Sequence, residues 1–246
     1  MEDGFDWRIA AATRIVNPIP AAYPGGPSHR AGSALFQSAL VETHSGENIG
    51  FTLPSATAMA INVAINAGKE ANKLKRKLVF DDVVTFNGPG RSVSNSANSM
   101  LYDFFEQCMI SVAFSYQALE VFSNHTIARD QKGPMVVKRR KKRAVLAPIE
   151  LERRLSTEEK LTIVLPKVKN VPTPKGKHSW QLFKKLKHAR DATIHLKYRD
   201  QQAVDRDSLF FVFLNEDPES FPRAAVEMIL YFNPSDAPRW LQFLSN

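Results

Sequence analysis

Cysteine is almost missing: Cys108 is the only one in 246 residues. That excludes a disulfide framework, a thiolate zinc site and a CxxC redox pair. Long apolar runs are missing too. The most apolar stretches, MISVAF (109–114) and LFFVFL (209–214), fall far short of the roughly 20 residues a membrane span needs, so no membrane partner is expected. The six histidines are scattered, with no HExxH and no carboxylate-backed pair at ligand spacing. GPGRS (88–92) has neither the spacing nor the lysine of a phosphate loop, and neither GxGxxG nor GxSxG occurs. No metal and no cofactor are therefore expected. The opening MEDGFDWRIA is acidic where a secretory leader is basic, which with the single cysteine makes a reducing cytoplasm the expected address.

What is present is positive charge and a helical apolar pattern. A net charge of +8 and 43% apolar residues describe a chain that buries a core and favours a polyanionic partner, nucleic acid first. The first fifty residues read as an irregular arm, because NPIPAAYPGGPSHRAG (17–32) forbids a long helix or a central strand; a short strand or hairpin fits only around 7–16. Residues 51–97 read as an accessory helix over 55–77 and then a loop, FNGPGRSVSNS (86–96). Residues 98–246 read as a helical bundle. Its longest member, 98–127, spaces apolar residues by three and four with no proline or glycine, which marks a central helix. A connection over 129–150 follows. A short helix then opens on the capping-box spacing of Ser156 and Glu159 and stops at Pro166. Nothing alternates with period two over several segments, so the expected class is mainly α.

One helix draws chemical interest, read over 179–199 within the run SWQLFKKLKHARDATIHLKYRD (179–200). Trp180, Phe183, Leu186, Ala189 and Thr193 form its inward stripe, and Arg190 lies at the stripe's edge. Asp191 and His195 are an i, i+4 pair, so the carboxylate is expected to orient the imidazole and raise its basicity. A guanidinium grips a phosphoryl group bidentately, and an oriented histidine moves a proton near neutral pH. Within one helix the two groups converge poorly, since five residues separate them by about 7.5 Å of rise and about 140° of turn. A two-fold mate would bring one chain's arginine to the other's histidine, so a homodimer with its site on the seam is expected.

The run RDATIH, with Arg190, Asp191 and His195 in its three slots, resembles the signature of the HEPN superfamily (higher eukaryotes and prokaryotes nucleotide-binding). The aspartate is the less common second-slot residue and the spacing is the shortest. The frame is similar over roughly 98–232: a long helix ending YQALEVFSNHTI (116–127), a short one with STEEKL, and a tryptophan-led helix carrying the motif. The resemblance implies an antiparallel helical bundle that dimerises through its motif helices. It further implies, as in many members, a metal-independent endoribonuclease in which His195 activates the ribose 2′-hydroxyl and Arg190 stabilises charge on phosphorus, leaving a 2′,3′-cyclic phosphate. Roles in toxin–antitoxin pairs or phage defence, with an antitoxin or nucleotidyltransferase partner, belong to the same implication. Other members are non-catalytic and bind RNA, a nucleotide or a protein partner. A third reading remains, in which the three residues are only a salt-bridge cluster on a solvated helix edge.

Two further groups bear on the choice. Lys138, Arg139, Arg140, Lys141, Lys142 and Arg143 are six cations in a row, suited to RNA phosphates or to a solvated loop; Lys184 and Lys187 extend that basic character towards the motif. Glu120 and Asn124, an i, i+4 pair late in the long helix, are candidates to support the motif helix from behind, or a helix end satisfying itself. Cys108 falls in the apolar stripe and is expected to be inert, and His188 and His178 are expected at the surface.

Overall fold

The computed structural model describes residues 6–10, 12–26, 28–85, 88–139, 142–195 and 208–233; side-chain placements within them exclude 12–14, 34, 139 and 142. The chain is mainly helical. It divides into two compact units, one holding the described residues of 1–59 and the other those of 60–237.

The first unit carries more order than the sequence suggests. Strand β1 (Ala12–Arg14) pairs antiparallel with β2 (Ala34–Phe36), and β3 (Ser38–Glu42) with β4 (Asn48–Thr52). The expectation of an irregular arm is corrected to this extent. β1 lies within the 7–16 stretch where a short strand was expected; the other three left no signal because they are short and β4 is exposed at every position, so no alternation is imprinted on the sequence.

The second unit is built around helix α2 (Asn98–Asp130), 33 residues long. Phe104, Cys108, Val112, Tyr116, Leu119, Ser123 and Ile127 recur by threes and fours and are all buried. Helix α1 (Ala56–Lys77) begins behind Ser55, whose hydroxyl accepts from the Ala58 N–H at 3.2 Å, and ends on Lys75, Arg76 and Lys77, the charge sense its dipole favours. Gly68 lets α1 pass close to its neighbours: a methyl there would sit 3.1 Å from the Pro218 carbonyl oxygen and 3.3 Å from the Ser111 hydroxyl. Around α2 lie α3 (Pro148–Arg154), α4 (Thr157–Glu159), a π turn (Lys160–Val164), α5 (Leu165–Val168), α6 (His178–Ile194), α7 (Leu209–Asn215) and α8 (Ser220–Phe232). α8 lays Ala225, Met228, Ile229 and Phe232 into the core.

Three boundaries differ from expectation. The expected loop over 86–96 contains strand β6 (Gly88–Val93), paired with β5 (Phe80–Thr85); Pro89 is tolerated because the sheet has two strands and both are edges. The basic connection is a second hairpin, β7 (Met135–Arg139) with β8 (Lys142–Leu146). The short helix after Ser156 has its capping box, the hydroxyl accepting from Glu159 N–H at 3.2 Å and the Glu159 carboxylate from Ser156 N–H at 2.9 Å. It does not stop at Pro166. It widens into the π turn where the proline ring would otherwise meet the carbonyl of Thr162, and then continues to Val168.

Candidate functional site

Helix α6 turns its inward stripe as expected: Trp180, Phe183, Leu186 and Ala189 are buried, and Phe183 stacks on Tyr116 of α2 with ring centroids 6.3 Å apart. About two turns further on, Arg190 meets the same tyrosine. Its guanidinium carbon lies 3.9 Å from the Tyr116 ring centroid, and Nη1 donates to Asp191 Oδ1 at 2.8 Å. The arginine side chain keeps 24% of its surface in solvent, so it is held but reachable.

The helix ends sooner than the sequence pattern implies. Its last residue is Ile194, and His195 is the C-cap, with φ −116° and ψ 48°; its N–H still donates to the Asp191 carbonyl at 3.0 Å. Residues 196–199 lie outside the described residues. The adjacent β-branched Thr193 and Ile194 weaken the last turn, and the Thr193 hydroxyl bonds back to the Ala189 carbonyl at 2.8 Å. His195 therefore stands exposed at the helix end.

Asp191 accepts the hydrogen bonds to its carboxylate from residues other than His195. Its two carboxylate oxygens are taken by Arg190 and by Lys187 Nζ, the latter at 3.1 Å, and the bond to Asp191 raises the Lys187 ammonium above its ordinary value against the opposing effect of burial. Two cationic donors on α6 thus share that one carboxylate. Lys187 also lies 3.7 Å from Glu158 of α4, and Lys184 lies 3.8 Å from the same residue. The two lysines expected to greet RNA thus already face a carboxylate.

The supporting pair on α2 is split. Glu120 is exposed, whereas Asn124 Oδ1 accepts a hydrogen bond at 2.6 Å from Lys160 Nζ on the π turn. Neither reaches α6 directly. Lys160, which sequence reasoning passed over, keeps only 1% of its surface exposed. Burial pushes its ammonium below the ordinary lysine value, with Glu120 and Glu152 opposing. A lysine inside TEEKL looks like any solvated helix residue; the only available signal was its place on the side of the short helix that must face α2.

The basic run occupies the end of the β7–β8 hairpin, with Lys138 opposite Arg143 and Arg139 opposite Lys142. Lys138 and Arg143 are exposed, the side chains of Arg139 and Lys142 are not among those described, and Arg140 and Lys141 lie outside the described residues. Lys167 of α5 donates to the Val136 carbonyl at 3.2 Å, which ties the hairpin to the body. Among the described residues, no group of three or more His, Cys, Asp and Glu side chains is placed to hold a metal ion, and no helix is long and apolar enough to cross a membrane. Comparison with known proteins adds nothing to this geometry: no protein-family model, no curated protein and no solved structure matches the chain.

Proposed function

We propose that the protein is a HEPN-like, metal-independent endoribonuclease, a homodimer of HEPN-like bundles working in the cytoplasm. One observation carries the reading: the end of α6 presents a guanidinium, steadied by the Tyr116 face and Asp191, and an exposed imidazole at the helix terminus. The imidazole removes the proton of a ribose 2′-hydroxyl, the freed oxygen attacks the adjacent phosphorus, the P–O5′ bond breaks, and the departing 5′-oxygen takes a proton from water while the imidazolium returns its own to solvent. Arg190 stabilises the charge that accumulates on the phosphoryl oxygens, and a 2′,3′-cyclic phosphate remains. Because the two groups diverge on one helix, the working pair is Arg190 of one chain and His195 of its mate. The hairpin cations hold the RNA backbone. Service as a toxin or in phage defence, restrained by an antitoxin or nucleotidyltransferase partner, fits such an activity.

The test is cleavage of RNA in EDTA with analysis of the product ends. His195→Ala should abolish cleavage, and Arg190→Ala should reduce it by about a hundredfold or more, with the dimer intact in both. Mixing the two inactive variants should restore about a quarter of wild-type activity, because half the dimers are mixed and each of those rebuilds one of its two seam sites. No recovery on mixing would rule out the shared site. A second reading is favoured by the Asp191 geometry, which spends the carboxylate on Arg190 and Lys187 and leaves His195 without it. In that reading the chain binds RNA, a nucleotide or a partner without chemistry, and it would retain RNA in the same assay uncut.

A further inference from the structure

We propose that Lys160 is a positioning residue for Arg190, acting through the short helix α4. The inference rests on the ribonuclease reading for its catalytic consequence, though not for its geometry. Burying an ammonium is costly, and the neighbours of Lys160 on the π turn, Leu161 and Val164, are fully buried apolar residues. An apolar side chain would serve the core at lower cost. The lysine instead places a charge against α2 and bonds Asn124 at 2.6 Å.

Three successive residues anchor this segment in three directions. Glu158 reaches out to α6, where it meets Lys184 and Lys187 at 3.8 and 3.7 Å. Glu159 folds back on the N-terminus of its own helix, closing the box with Ser156. Lys160 reaches into α2. α4 is the first turn of a helical stretch that runs on through the π turn to Val168, and these contacts fix the direction of its N-terminal end.

From α4 the contacts run on without a gap. Lys187 donates to Asp191 Oδ2, Arg190 donates to Oδ1 of the same carboxylate, and the arginine lies on the Tyr116 face. Tyr116 belongs to α2, eight residues before Asn124, a rise of about 12 Å. The path therefore closes on itself: α2 to α4 through Lys160, α4 to α6 through Glu158, and α6 back to α2 through Arg190. Removing the buried link frees α4 to shift, and the Glu158 end of the Lys187–Asp191–Arg190 chain shifts with it.

The test uses the full-length protein in four variants. Lys160→Met keeps the length of the side chain and removes its charge. Asn124→Leu removes the acceptor, Asn124→Asp restores one, and Glu158→Gln cuts the link to α6 at a partly exposed position, where folding is least at risk. Two quantities are read: amide hydrogen exchange in a peptide covering 187–195, with 220–232 as the internal control, and the separate kcat and KM of RNA cleavage. Lys160→Met, Asn124→Leu and Glu158→Gln should speed exchange over 187–195 and lower kcat, each by about tenfold, with KM changed less than about twofold. Asn124→Asp should behave as wild type. Unchanged exchange over 187–195 overturns the proposal, as does an equal rise over 220–232, and so does faster exchange with kcat intact. If the wild-type protein cuts no RNA, the ribonuclease reading falls, and the exchange comparison alone decides whether Lys160 holds the Arg190 end of α6.

Discussion

Two buried ionisable side chains respond to their surroundings in measurable ways. The Cys108 thiol has no exposed surface, and burial pushes it up to about 12, so almost no thiolate forms at neutral pH. A disulfide reagent should leave the native protein unlabelled and titrate one thiol after denaturation; rapid labelling of the native protein would contradict the burial. Lys160 behaves in the opposite direction, because burial lowers its folded-state value below that of the unfolded chain. The folded protein therefore sheds this proton first. Stability rises as pH climbs through the folded-state value, and the gain is complete near the ordinary lysine value of 10.5. Relative to Lys160→Met, the wild-type thermal midpoint should increase between neutral pH and pH of about 10. A constant difference between the two proteins would refute this. At this scale the sequence was half legible. Arg190 and His195 stand out because a guanidinium beside an apolar stripe is unusual, whereas the competition of Lys187 for Asp191 depends on distances that spacing does not contain.

Among the elements, the long helices were readable, while α3, α7 and every strand but β1 were not, and for the strands the reason is physical. A helix that buries a face writes a three-and-four rhythm into the chain, as Phe104, Cys108, Val112 and Leu119 do on α2. A hairpin with both faces in solvent writes nothing, and Val84 of β5 keeps 92% of its surface exposed. Proline and glycine misled twice: GPG in β6 resembled a loop, and Pro166 resembled a helix stop when the chain could widen around it. Glycine was also uninformative within α1. The intrinsic gain of about 1 kcal/mol for replacing a mid-helix glycine with alanine is opposed at Gly68 by the Pro218 carbonyl oxygen, 3.1 Å from the new methyl. Gly68→Leu gains nearly the same propensity but adds far more volume, and should lose about 1–3 kcal/mol in denaturant unfolding, because backbone rather than a movable side chain blocks the space. Wild-type stability in that variant would show that α1 stands farther off than described.

For the molecule as a whole, the formal charge of +8 is unevenly available. Glu158 and Asp191 already face Lys184, Lys187 and Arg190, while Lys138 and Arg143 at the hairpin stand exposed. On the proposed ribonuclease reading, the salt dependence of RNA binding should therefore come mainly from the hairpin. Replacing Lys138, Arg139, Lys142 and Arg143 with alanine should flatten the log–log salt slope by about 3 for single-stranded RNA, whereas Lys184→Ala should change it by less than about 0.5. Equal effects from the two sets would place the grip elsewhere. The same hairpin exposes Val136 and Val145 beside its cations, and neither of its two strands pairs with a third strand among the described residues. Like charge at Lys138 and Arg143 opposes the approach of one such hairpin to another. On the ribonuclease reading a bound polyanion would cancel that repulsion, so the ligand that quenches these cations would also lower the barrier to strand-to-strand stacking.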